Sequence, residues 1–200
     1  MPVATPPLGR RERNKQAKLE RITAAASELF AKHGVDEVTT QQIADAADIG
    51  TGTLFLYAKT KGELLLLVQN AHYATALERG RVAAAEESTA LEAVVALLAP
   101  VVECNRVQVD NGRTYLREMV FGDPAEPRHA EALAIVAQTE DVAAGLLTQH
   151  LQLGETRATT LARVISAIVF LTMASSEHLD SSVDQIVDAI RAQVAAVLPR

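Results

Sequence analysis

Eight side chains within 23 residues, Thr39, Gln41, Thr51, Thr53, Phe55, Leu56, Tyr57 and Lys61, bring together the groups that contact a nucleic acid. The hydroxyls, amide, phenol and ammonium are donors and acceptors for phosphate oxygens and base edges, and the two apolar side chains offer surface to thymine methyl groups. Thr39, Tyr57 and Lys61 are the candidates for phosphate contacts. Gln41, Thr51, Thr53 and Leu56 are the candidates for reading base edges, with Phe55 beside them offering an aromatic edge.

Three short elements have to position these groups. Thr39 followed by Gln42 has the spacing of a capping box, in which each side chain satisfies an orphan backbone N–H, so a helix is expected to start there with Ile43, Ala44 and Ala47 facing inward. Asp48-Ile49-Gly50 forms the turn. Gly50 is expected to supply the permissive backbone angle, and Ile49 the apolar wedge that holds the helices apart. A second helix from Thr51 to about Ala58 contains Gly52, two threonines and two aromatics, a poor composition for an isolated helix, so factors other than propensity selected those residues. Leu54 is its inward residue. Thr60 and Glu63 form a second capping box, yet Lys59 and Lys61 stand at a helix N-terminus, where the macrodipole disfavours cations. A bound phosphate would resolve that conflict. Two helices, a tight turn and a third helix make a helix-turn-helix, and the chemistry is DNA reading. The plainer alternative is a helical corner of any all-α protein.

The residues Arg21-Ile22, Ala25-Ala26, Leu29-Phe30, Gly34, Thr39-Thr40, Ile43-Ala44, Gly52-Thr53-Leu54 and Lys61, running on to Val68, resemble the N-terminal domain of the TetR family of transcriptional repressors. The likeness covers about a quarter of the chain at fixed spacing. The sequence departs from the commonest family pattern at Phe55, where tyrosine is usual, at Ala58, where phenylalanine is usual, and at Gly50, where a capping serine is common. The resemblance implies a homodimer that pairs its last two long helices, here 155–177 and 182–198, with their copies. It also implies a small-molecule effector site among the helices over 62–152. Dimerisation follows independently from DNA reading, because one short helix contacts few base pairs and two related by a dyad address half-sites about 34–36 Å apart.

Charge divides the chain in the same way. Residues 1–61 hold nine Lys+Arg against seven Asp+Glu, whereas 62–200 hold ten Arg, no Lys and eighteen Asp+Glu, giving −6 overall. Residues 1–14 are expected to form a flexible basic arm, with a helix-turn-helix domain over 15–62 and an effector and dimerisation domain over 63–200. Arg10, Arg11, Arg13, Lys15, Lys18 and Arg21 outweigh Glu12 and Glu20, which suits an arm and first helix lying against phosphates or in a minor groove. One cysteine excludes an internal disulfide, and no uncharged apolar run approaches the roughly 18 residues of a membrane span. A cytoplasmic protein without membrane association is expected.

The first helix should run over 15–33, with Ile22, Ala25, Ala26, Leu29 and Phe30 as its apolar stripe and Gly34 as its stop. A long helix over 61–85 should connect the two domains. Further helices are expected over 88–109, kinked at Pro100, and over 113–121, 127–152, 155–177 and 182–198, with breaks at Ser88, Asn111-Gly112, Gly122-Asp123-Pro124, Gly154 and Asp180-Ser181-Ser182. The fold class is all-α with about nine helices. Both final helices carry strong aliphatic stripes, Leu161 to Thr172 and Val183 to Val197, that require partners.

Polar residues interrupting an apolar stripe mark the effector site: Asn105, Glu140 and, on its own short helix, Tyr115. Each has an ordinary structural reading as a buried or edge polar group. Cys104 is expected to be inert packing rather than a sensor. The histidines His33, His72, His129, His150 and His178 are scattered, and no H-E-x-x-H, P-loop or G-x-S-x-G occurs, so no metal, cofactor or enzymatic role is expected. Glu86-Glu87 and Glu140-Asp141 are adjacent pairs whose side chains diverge by about 100° on a helix. The expectation is a ligand-responsive regulator, most simply a repressor bound to a palindromic operator. The alternatives are a constitutive DNA-binding dimer without an effector and, more remotely, a small all-α enzyme.

Overall fold

The computed structural model describes residues 9–199, and these contain nine α-helices and no strand. They are α1 (Arg10–His33), α2 (Thr40–Ala46), α3 (Thr51–Leu54), α4 (Lys61–Ala84), α5 (Ala90–Arg106), α6 (Val109–Phe121), α7 (Pro127–Leu151), α8 (Glu155–Ala174) and α9 (Val183–Val197), with a 3-10 turn at Ser176–His178. α4 is the central element and packs on α1, α5, α6 and α7, while α8 packs on α7 and α9, and α9 on α5. Its five consecutive residues Leu64–Val68 are all buried, as befits a helix covered on every side. At Gly80 the α4 and α5 backbones meet so closely that an added Cβ would lie 2.1 Å from the Leu97 carbonyl oxygen. Arg191 of α9 pairs with Glu92 of α5.

The small N-terminal domain is built on Ile22, Ala26, Phe30, Ile43, Ala44, Leu54 and Leu64, all nearly inaccessible. The capping box at Thr39 and Gln42 is present in both directions. α3 is one turn shorter than its sequence promises: regular helix ends at Leu54, and 55–58 continue as hydrogen-bonded turns. The turn into α3 also differs from expectation. Asp48 adopts the left-handed conformation at φ 52, while Gly50 sits extended at φ −74 as the N-cap. Aspartate tolerates that region because its short polar side chain interacts locally.

Three other boundaries depart from the sequence reading. The part of the expected arm over 1–8 lies outside the described residues, and from Arg10 onward the backbone is already helical, so α1 starts five residues before Lys15. Asn111-Gly112 is not a break but lies inside α6, whose N-cap is Gln108, its side chain accepting from the Asn111 N–H at 2.6 Å. Gly112 is a contact glycine: a Cβ there would come within 2.1 Å of the Asn105 carbonyl oxygen, so its small size lets the α5–α6 corner close. α8 ends at Ala174 and not at 177. Pro100 lies within an uninterrupted α5.

By length and composition α8 is apolar enough to cross a membrane. It contains Arg157 and Arg163, so its apolar run is not uncharged, and Ala158, Ala162, Ile165, Val169 and Met173 are buried inside the fold.

Candidate functional site

The exposed residues of α3 and the turns after it share one face with the first two turns of α1. Thr53, Leu56 and Tyr57 line an open cleft whose other wall is Arg10, Arg11, Glu12, Asn14, Lys15 and Lys18. Leu56 is 83% exposed and Phe55 44% exposed, in contrast to Leu54 between them, which is fully buried. Large apolar side chains held out into solvent beside a row of cations are the composition of a nucleic-acid surface rather than of a core. The Tyr57 hydroxyl donates weakly to the Lys15 carbonyl at 3.4 Å, which keeps α1 against this surface.

The polar candidates already bond to one another. Thr51 Oγ1 donates to Gln41 Oε1 at 2.7 Å, and Gln41 Nε2 donates to Asp45 Oδ1 at 2.7 Å, so a chain of exposed hydrogen bonds ties α2 to α3. Thr39 spends its hydroxyl within the cap: it accepts from the Gln42 N–H at 3.2 Å and donates to Gln42 Oε1 at 3.0 Å. The α4 N-terminus corrects a sequence inference. Thr60 caps it by accepting from the Glu63 N–H, but the Glu63 carboxylate reaches past Thr60 to accept from the Lys59 N–H at 2.6 Å, so only half of the expected box forms. Lys61 Nζ donates to the carbonyls of Val35 at 2.9 Å and Asp36 at 3.0 Å. The conflict between cations and macrodipole is therefore relieved within the fold: Glu63 supplies negative charge, and the Lys61 ammonium is drawn to the α1–α2 loop.

A second site lies in the larger domain. A partly open cavity of about 90 Å³ is lined by α4, α5, α6, α7 and α8. Tyr115 and Glu140 line it, as the sequence implied, together with Thr139, Ser166, Phe170 and a mostly aliphatic wall. Asn105 does not. It is buried behind the wall and donates through Nδ2 to the Tyr73 hydroxyl at 2.8 Å, while its Oδ1 finds no hydrogen-bond partner. Tyr73 stacks on Tyr115 with centroids 4.3 Å apart, and the Tyr115 hydroxyl donates to Asn70 Oδ1 at 2.9 Å. Asn70 in turn donates to the Arg128 carbonyl of α7 at 2.9 Å. Burial pushes both phenols well above their ordinary range, so each stays a neutral hydroxyl. Tyr73, Asn70, Thr139 and Ser166 escaped the sequence reading because their helices carry no period that separates cavity from core.

Asn111, read from sequence only as part of a break, joins the two sites. Its Oδ1 accepts from the Val35 N–H at 2.7 Å and its Nδ2 donates to the Phe30 carbonyl at 2.8 Å, both in buried surroundings. It lies one helical turn before Tyr115 on α6. Cavity wall and α1–α2 loop are therefore connected through one turn of α6.

Comparison with known proteins agrees with this geometry. Residues 22–68 match the family model described as bacterial regulatory proteins, tetR family. No curated protein matches the sequence significantly. Among solved structures, the chain is similar to Thermus thermophilus FadR, a TetR-family transcriptional repressor in complex with lauroyl-CoA (TM-score 0.69, 23% identity, 91% of this chain and 96% of that one). It is also similar to a TetR transcriptional regulator from Rhodococcus sp. RHA1 (TM-score 0.70, 16% identity, 92% and 97%). A third similar structure is Bacillus subtilis FadR in complex with stearoyl-CoA (TM-score 0.61, 18% identity, 90% and 99%).

Proposed function

We propose that this chain, a TetR-family transcriptional regulator by the domain at 22–68 and by its fold, binds a palindromic operator as a homodimer and is released from it by a small apolar effector. The observation that carries the proposal is the cleft in which the basic start of α1 faces Thr53, Leu56 and Tyr57. Cations of α1 neutralise phosphates and fix register, while Gln41, Thr51, Thr53 and Leu56 meet base edges and methyl groups. The Thr51–Gln41–Asp45 chain pre-orders those groups and exchanges its bonds for bonds to bases when DNA is present.

Dimerisation through α8 is supported by its split face, whereas the α9 stripe of Ile186, Ile190 and Val194 is buried within the fold. Ile165, Val169 and Met173 point into the fold, whereas Val164 at 42% and Leu171 at 65% exposure stand outside with Ala167 between them, an apolar stripe at helical spacing. Two of the similar structures are complexes with acyl-CoA ligands, which supports an effector with an apolar body in the cavity lined by Tyr115. An effector whose buried part exceeds about 90 Å³ has to move the cavity wall, and Asn111 passes movement of α6 to the α1–α2 loop. About 100-fold preference for the non-binding state shifts the equilibrium by roughly 2.7 kcal/mol per site.

Selection of bound sequences from a random duplex pool at moderate salt tests the reading. An enriched inverted repeat is the expected result. Salt-sensitive binding without enrichment would instead identify a nonspecific, constitutive DNA-binding dimer.

A further inference from the structure

The ionisable lining of the cavity has one sign. Among the described residues Glu140 is the only charged one in its lining, since no described Lys, Arg or His lines it and the phenols of Tyr73 and Tyr115 are neutral. The Glu140 side chain is 22% exposed, and one of its oxygens lies 3.7 Å from Arg163 Nε, whose own side chain is 72% exposed and hence largely hydrated. Among the described residues no donor stands within hydrogen-bonding distance of the other oxygen. An anionic head group placed here meets a mostly buried carboxylate whose one neighbouring cation, Arg163, stands largely in water. A wholly apolar occupant strips water from Glu140 and returns no bond. A protonated amine satisfies the free oxygen of Glu140 while its apolar body meets the aliphatic wall. The volume adds a constraint. About 90 Å³ is less than the roughly 150 Å³ cavity known to hold one benzene, so an alkyl chain fills more than the internal space, and the flexible Met119 and Met173 of the wall are the side chains best able to yield to it.

Resting on the effector reading above, we propose that the cavity is selective for lipophilic amines in their ammonium form, with Glu140 as counter-ion. The test is titration calorimetry of the purified full-length chain with decylammonium, decanol, decanoate and decanoyl-CoA, followed by operator release with each. Decylammonium is expected to bind at least about tenfold more tightly than decanoate. Glu140→Gln, checked by thermal melting for an intact fold, is expected to erase that preference while leaving decanol affinity within about twofold. Equal or tighter binding of decanoate or decanoyl-CoA overturns the assignment, as does an ammonium preference that survives Glu140→Gln. Operator release by decanoyl-CoA but not decylammonium sinks the charge assignment and leaves the effector reading standing. Preferential ammonium binding without any release supports the assignment and sinks effector control instead.

Discussion

In the helix-turn-helix the polar side chains stand on the surface and bond to near neighbours, Thr51 to Gln41 and Gln41 to Asp45, ten and four residues apart. Around the cavity the polar side chains are buried and bond across the fold, Tyr115 to Asn70 and Asn105 to Tyr73, with separations of 45 and 32 residues. Surface hydrogen bonds exchange with water and cost little to break, so the reading head can trade them for bonds to bases. Buried ones leave an unsatisfied group when broken, so the cavity frame holds together and moves as a unit. Under the proposed function the two regions divide the work between reversible contact and transmission.

The comparison can be tested by mutation, beginning with the largest expected effect. Leu54→Ala removes a fully buried side chain behind the reading head and should cost about 2–5 kcal/mol in denaturant unfolding. Loss of operator binding with decanol binding retained would show that the two regions are separable; simultaneous loss would show that they unfold as one. Asn111→Ala orphans the buried Val35 N–H and should cost about 1–3 kcal/mol, while effector binding no longer changes operator affinity. Intact coupling in that variant would remove Asn111 from the transmission path. Tyr115→Phe and Gln41→Ala each delete hydrogen bonds, one set buried and one exposed. The first should lower stability by about 1–3 kcal/mol. The second should stay within about 0.5 kcal/mol but relax preference at one base pair of the operator. Similar stability losses would erase the contrast.

Lys15→Ala should leave folding unchanged and lower the salt slope of DNA binding by about one unit. Lys61→Ala differs because its ammonium holds two loop carbonyls, so part of its effect on binding is structural. The smallest effect concerns Cys104. Burial raises its thiol from the ordinary 9.0 to about 11, with Arg79 pulling weakly the other way. The thiolate is the reactive form, so alkylation by iodoacetamide should be slow near neutrality and keep rising with pH until about 11. Fast modification near neutrality would restore Cys104 as a candidate sensor.

The Thr39–Gln42 box, the inward Ile43, Ala44, Ala47 and Leu54, and the outward Leu56 were legible because each depends on neighbours within a few residues. The turn was legible in position but not in its angles: Gly50 is the residue that propensity favours for a left-handed backbone, yet Asp48 takes it, with Arg21 of α1 forming an ion pair 3.4 Å from its carboxylate. Asn111-Gly112 misled for a related reason. Beside a helix that ends at Arg106 the pair has the composition of a breaker, and only the approach of the Asn105 carbonyl explains why glycine stands inside α6. Asn105 itself has the right spacing for a cavity residue but faces Tyr73 behind the wall, a distinction of one side-chain direction that periodicity does not resolve.

Local spacing in the chain determined the helices, the helix-turn-helix and the charge division, because caps, stripes and turns are interactions between residues three to ten apart. The tertiary structure alone decided that Lys61 grips the α1–α2 loop, that Tyr73 and Tyr115 stack, that Glu140 is the one charged group lining an apolar cavity among the described residues, and that Asn111 ties the helix bearing Tyr115 to the α1–α2 loop. Each of these is a meeting of helices brought together by burial of apolar surface, which is non-directional and leaves no mark in the spacing of any one segment.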